Sequence, residues 1–244
     1  AARKFNGVIS PSYALGIPFS QDTKRKVTII ATPFSPSNET YEDISILKTK
    51  LLNKRYFLFF GRISPDKGII TISRCIKQIL TQYPDFYFCF AGEEAVLKGK
   101  SMLQILKSSA QRERNRVIYL GNLSRKQLYP IVRNAECVVL PSLMDNLPNA
   151  GLEAMWLNGI VIGTRGASFD EMFEDNISGF LMEIDNSDDL INKINTVMHM
   201  SKYEKDQMRL EAKKRLKRYE SKIVGKELER YYQYILKKRG KFNG

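Results

Sequence analysis

The chain has 244 residues, 43% hydrophobic and 27% charged, with 39 Lys and Arg against 26 Asp and Glu, for a formal charge of +13. Such a composition excludes a disordered polymer and leaves room for one large folded domain with extensions, or for two small domains. No segment approaches the roughly 20 apolar residues that a membrane-spanning helix needs, and the positive charge attracts anions of any kind: nucleic acid, an anionic membrane or phosphorylated small molecules.

Residues 1–5 are not followed by a long apolar run, so no secretory signal is expected. Residues 8–12 read as a strand running into a turn, and residues 27–30 as a second strand. Residues 32–38, with Pro33, Pro36 and several short polar residues, read as a loop. These pieces show no second layer to pack on. Residues 1–52 are therefore read as the remnant of a preceding domain and a linker.

From residue 53 a strand-helix rhythm takes over. Residues 56–60 form an apolar strand ended by Gly61. A helix follows, with Ile69, Ile72, Ile76, Ile79 and Leu80 on one face, and Pro84 stops it. Residues 86–91 form a strand before Gly92, and residues 101–112 a helix with Leu103 and Leu106 inward. Residues 117–120 form a strand before Gly121, and Ser124 can cap a helix carrying Leu128, Ile131 and Val132. Residues 137–140 are a strand ended by Pro141. Residues 149–158 are a helix closed by Gly159. Short strands at 160–162 and 179–182 follow, and Ser187 opens another helix. Residues 219–244 end the chain, with a helix over about 221–236.

Apolar strands without alternation are buried on both faces, as in a parallel sheet covered by helices. The fold class is therefore α/β: a Rossmann-like, doubly wound parallel sheet of about six strands spanning 53–218, without β-hairpins. In such folds ligands bind beyond the carboxyl ends of the strands.

Cys75, Cys89 and Cys137 each lie in an apolar segment without a CxxC partner, and read as buried thiols. His199 is the only histidine and lies far from the glycine-rich turns, so neither a metal site nor a histidine base is expected. The basic runs 213–218 and 237–239 read equally as solvated helix faces or as contacts with a membrane surface or a partner domain.

Three strand-end turns carry chemistry. In residues 61–68, Gly61 and Gly68 let the backbone turn and approach a ligand. Arg62 and Lys67 offer cations to phosphate oxygens, and the following helix start favours an anion. The spacing is neither a P-loop nor GxGxxG. In residues 141–155, Asp145 and Glu153 can accept hydrogen bonds from sugar or ribose hydroxyls. A loop cap for Asp145, or a favourable charge at a helix start for Glu153, explains each residue about as well. In residues 163–172, Glu171 caps its own short helix or orients Arg62 or Lys67.

With these residues named, the chain resembles the carboxyl-terminal, donor-binding half of a family-4-type retaining glycosyltransferase of GT-B fold. Residues 61–68 resemble the loop that holds the donor diphosphate, with Arg62 and Lys67 as its cationic pair. Asp145 and Glu153 resemble the paired acids, of which the first approaches the donor sugar and the second binds the ribose. The family usually has Glu where Asp145 stands, and Gly-Phe-Gly where Asn146, Leu147 and Pro148 stand. Pro148 has no amide to give, so backbone donation would come from Leu147, Asn149 or Ala150. The last helix resembles one that crosses back to the amino-terminal domain.

The resemblance implies transfer of a hexosyl group from a nucleotide diphosphate sugar, a UDP- or GDP-sugar, to a glycan or lipid-linked acceptor, without metal or other cofactor. Its implied catalytic residues are Arg62, Lys67 and Asp145. The implied donor-binding residues are Gly61, Arg62, Lys67, Gly92, Asp145, Leu147, Asn149, Ala150 and Glu153. It also implies that the acceptor site lies on an amino-terminal domain beyond this chain, so that the chain alone is expected to turn over slowly or not at all. Polysaccharide biosynthesis in the cytoplasm, with peripheral contact at the inner membrane face, fits the same picture. A GT-B-type epimerase or hydrolase of nucleotide sugars remains open. A nucleic-acid-binding module is the other alternative, but no zinc-finger, RRM or KH signature supports it and no nucleic-acid partner is expected.

Overall fold

A computed structural model describes residues 6–36, 42–97 and 99–240. The chain start at 1–5, the loop positions 37 and 38, and the chain end at 241–244 lie outside the described residues, as does the side chain of Arg239. The elements run in the order β1 (Ile9–Ser10), α1 (Tyr13–Thr23), β2 (Thr28–Ile29), α2 (Ser45–Thr49), β3 (Arg55–Phe60), α3 (Ile69–Gln82) and β4 (Phe86–Ala91). Then come β5 (Val96–Leu97), β6 (Lys100–Ser101), α4 (Met102–Ala110), β7 (Val117–Gly121), α5 (Arg125–Asn134), β8 (Cys137–Leu140) and α6 (Asn149–Trp156). The chain closes with β9 (Val161–Thr164), α7 (Phe169–Met172), β10 (Phe180–Met182), α8 (Ser187–His199), α9 (Lys202–Leu216) and α10 (Ser221–Gly240).

The main sheet has six parallel strands in the order β10-β9-β8-β3-β4-β7. Its centre is apolar on both faces. Phe57, Leu58, Phe59, Phe88, Cys89, Phe90, Val138 and Val139 are essentially inaccessible, and each large apolar side chain contributes roughly 1.5–3 kcal/mol of burial. Phe57 stacks on Phe86 and Phe88 on Phe90, with ring centroids 4.8 and 4.9 Å apart. Helix α3 buries the stripe Ile69, Ile72, Ile76, Ile79 and Leu80 at helical spacing.

The order of strands determines where a ligand can sit. From β3 the chain builds outward through β4 to β7, then returns to lay β8 on the other side of β3. The loops after β3 and β8 therefore depart to opposite faces and leave a crevice between them. Two short-range features hold this region. Gly68 has φ 75°, and a Cβ there would run into the Pro141 carbonyl beyond β8. Gly92 has φ 133°, and a Cβ there would run into the Gly61 carbonyl.

The first segment is better organised than its sequence pattern suggests. Strands β1 and β2 pair in parallel around α1, a helix absent from the sequence reading. Its pattern is weak because Pro18 lies inside it and Gly16 is its only buried residue. It is fixed by tertiary contacts instead: the Glu171 carboxylate accepts from the Tyr13 and Ala14 amides at its start. Helix α10 supplies the missing second layer, with Tyr231 Oη donating to the Val8 carbonyl. Phe34 pairs with residues 219–220 where α10 begins. Inside α5, Pro130 leaves the Lys126 carbonyl without its helical donor, and the Asp43 amide takes it at 3.0 Å.

Other expectations need correction. A two-stranded antiparallel hairpin, β5–β6, does interrupt the parallel rhythm; its two-residue strands are too short to show a period. Strand β9 starts at Val161 and runs through Gly163 to Thr164, since Gly163 packs under the Phe169 ring, where a side chain would not fit. Asn158, with φ 63°, makes the left-handed turn after α6, and Gly159 only follows it. Helix α4 ends at Ala110, and Gln111 to Arg116 tighten into a 3-10 turn.

Candidate functional site

The turns after β3 and β8 meet. The Leu143 amide donates to the Asp66 carbonyl at 2.9 Å, strapping one turn to the other. Ile63 ties the first turn to the loop after β4: its amide donates to the Glu93 carbonyl and its carbonyl accepts from the Ala95 amide.

Two adjoining hollows open over these strand ends. The inner one, about 160 Å³, is lined by Gly61, Lys67, Ser142, Asp145, Asn149 and Ala150, among others. The outer one, about 380 Å³, is lined by Gly61, Arg62, Gly92, Asn122, Ala150 and Glu153, among others. Phe60, Gly61 and Ala150 border both. A roomier hollow of about 500 Å³ beside Arg133, Asn158, Arg209 and Lys213 adjoins none of these strand ends. There Arg133 is engaged by Glu42, and Arg209 by Asp206 and the Asn158 carbonyl.

Lys67 Nζ lies 2.6 Å from Asp145 Oδ2, and the pair is largely buried. Ser142 Oγ donates to the same oxygen at 3.1 Å, and the Asn146 amide to Asp145 Oδ1 at 2.9 Å. Ser168 Oγ donates to the Asp145 carbonyl at 2.8 Å, which ties the loop to the turn before α7. Asn149 and Ala150 open α6, where first-turn amides have no intrahelical acceptor and the helix end favours negative charge. A cation and a helix amino terminus thus face the inner hollow from different elements, a combination suited to an anion.

Arg62 takes a different course. Its guanidinium bonds Asp66 Oδ2 at 3.1 Å and stays 60% exposed. The two cations therefore serve different hollows, Lys67 beside Asp145 and Arg62 on the side of Glu153. Burial pushes the Glu153 carboxyl above its ordinary range, and Arg125, 3.4 Å away, only partly opposes this. Leu147 has φ 56°, turns its side chain into the core and lines neither hollow.

Glu171 neither caps its own helix nor approaches Arg62 or Lys67. It caps α1, and its carbonyl accepts from Tyr219 Oη at 2.7 Å. Sequence reasoning missed Ser12, Ser142, Ser168, Asn122 and Arg125. Of these, Ser142 and Ser168 lie inside the turns at 141–155 and 163–172, and Arg125 follows the Ser124 cap that starts its helix, whereas Ser12 and Asn122 had no nearby signal. Among the described residues, no group of three or more His, Cys, Asp or Glu side chains could hold a metal ion, and no helix is long and apolar enough to cross a membrane.

Comparison with known proteins agrees with this architecture. The chain is 26% identical over 148 residues to the uncharacterized glycosyltransferase YqgM of Bacillus subtilis, covering 59% of this chain. It is 29% identical over 159 residues, 61% of this chain, to the Escherichia coli UDP-Gal:alpha-D-GlcNAc-diphosphoundecaprenol alpha-1,3-galactosyltransferase. It spans 38% of the length of each. The crystal structure of Anabaena Alr3699/HepE in complex with UDP-glucose superposes with a TM-score of 0.76 at 22% identity, over 96% of this chain and 65% of that one, so the fold is GT-B-like. A family model for glycosyl transferases group 1 matches residues 42–219, and the chain belongs to that family.

Proposed function

We propose that this chain is the donor-binding half of a retaining glycosyltransferase. It would hold a UDP- or GDP-sugar whose hexosyl group passes to a glycan or lipid-linked acceptor. The observation that carries this reading is the pairing of Lys67 with the start of α6 across one hollow at the point where strand order reverses. Departure of a nucleoside diphosphate concentrates negative charge on phosphate oxygens, and fixed donors aimed at that charge lower the barrier. Lys67 and the α6 amides would serve there, with Arg62 entering from the outer hollow. Glu153, on the wall of that hollow, would accept from the ribose hydroxyls. Retention of configuration rests on the family likeness.

The likeness also supports the division into residues 1–52, 53–218 and 219–244, with the acceptor held by an amino-terminal domain that packs near β1, β2 and α10. Among relatives, the E. coli enzyme is named for a diphosphoundecaprenol-linked substrate, which favours a lipid-linked acceptor and peripheral membrane contact at the cytoplasmic face.

Isothermal titration of the chain with UDP, GDP, UDP-glucose and GDP-mannose tests the reading. One nucleotide and its sugar should bind, and K67A should weaken both by at least about tenfold, the loss of one charge-assisted contact. Binding to none of the four, or binding unchanged in both K67A and R62A, would overturn it.

A further inference from the structure

The family likeness gives the first acid to the donor sugar, but the contacts of Asp145 lead elsewhere. Asp145 Oδ2 already accepts from Lys67 Nζ at 2.6 Å and Ser142 Oγ at 3.1 Å, and Oδ1 from the Asn146 amide at 2.9 Å. A carboxylate has about four lone-pair sites, so three of them are taken by the protein itself. The carboxylate is 13% exposed and its main chain is pinned by Ser168. It is also one methylene shorter than the Glu usual at this position, which draws its charge back toward Lys67. Lys67 is the more open partner, at 27% exposure, and its ammonium has three donors, only one of which Asp145 uses.

We infer, on the functional reading above, that Asp145 is a positioning residue for Lys67 and does not contact the donor sugar. Its carboxylate anchors the ammonium against the inner hollow so that the remaining N–H groups face the anion held at the start of α6. The same carboxylate competes with the diphosphate for Lys67. Nucleotide binding is thereby moderated. Because the competition is over phosphate, it is felt equally by a nucleoside diphosphate and by the corresponding nucleotide sugar.

The test compares UDP with UDP-glucose, or GDP with GDP-mannose if the chain prefers guanine, by titration calorimetry on wild type and D145N. Asn keeps the size and two of the acceptor contacts while removing the charge. D145N should tighten nucleotide and nucleotide sugar by the same factor, about fivefold. In a K67A background the D145N change should disappear, a readout that loosened packing would not produce. Weakening of the nucleotide sugar alone would overturn the inference and leave the functional reading intact. So would a D145N effect that survives in K67A. A wild-type chain that binds neither pair removes the functional reading and this inference together.

Discussion

Ser12 Oγ donates a 2.8 Å hydrogen bond to Asn146 Oδ1, joining residues 134 positions apart in the chain. Ser12 is fully buried at the start of α1, and Asn146 directly follows Asp145. The neighbouring amides of Tyr13 and Ala14 are held by Glu171. One short stretch of the first segment thus grips both the loop after β8 and α7.

A buried donor whose acceptor is lost costs about 1–3 kcal/mol, more than the net worth of the bond itself. S12A and N146A should each destabilise the chain by about that amount in urea unfolding. Because they break the same bond, the double variant should cost clearly less than the sum of the two. Fully additive losses would mean that the bond contributes nothing. UDP affinity should also fall in S12A, since the loop carrying Asp145 and the start of α6 loses one of its anchors.

Gly68 is bound by two independent constraints. Its φ of 75° is costly for any residue with a Cβ, and that Cβ would meet the backbone carbonyl of Pro141, which cannot swing away as a side chain could. G68A should therefore cost about 2–4 kcal/mol of stability, at the upper end of single substitutions. It should also weaken nucleotide binding by prising apart the turns that carry Lys67 and Asp145. A G68A protein as stable as wild type in urea would show that the two turns have freedom to separate.

Lys67 and Arg62 should separate in the absence of any ligand. The Arg62–Asp66 pair is solvent-exposed, 60% and 49%, and such pairs contribute roughly 0–1 kcal/mol. R62A should unfold within about 0.5 kcal/mol of wild type. K67A removes the partner of a carboxylate that is only 13% exposed and should cost about 1–3 kcal/mol. Equal stabilities for the two variants would place Asp145 in a wetter setting than its contacts describe.

The sheet was legible because four of its strands, β3, β4, β7 and β8, are short apolar runs that stop at Gly or Pro, and its helices carry stripes such as that of α3. The two motif turns were legible for a related reason: they fall where those runs stop. Contacts between distant segments were not. Nothing near Ser12 announces Asn146, and nothing near Glu171 announces α1, because such pairs are made by topology rather than by any local period. Helix α1 went unseen for the same cause: its stability comes from Glu171 and from packing on β1 and β2 rather than from an amphipathic face. The split of the two cations between two hollows was equally invisible, since spacing along a turn does not fix where long side chains point.

Glu153 gives the chain a pH signature. Burial raises its carboxyl above the ordinary value of 4.5, against the pull of Arg125. Between that value and the raised one, the folded chain keeps a proton that the unfolded chain has lost. Stability therefore falls as pH rises through this window and is level above it. E153Q has no proton to lose here. Its stability relative to wild type should grow as pH rises from about 4.5, and then stay constant toward neutrality. The same substitution should weaken UDP binding, because an amide is a poorer acceptor for ribose hydroxyls than a carboxylate. Urea unfolding of both proteins across the acidic range, with UDP titration at neutral pH, measures both effects. A stability difference that does not change with pH would mean that Glu153 ionises as readily in the fold as out of it, with Arg125 compensating its burial in full.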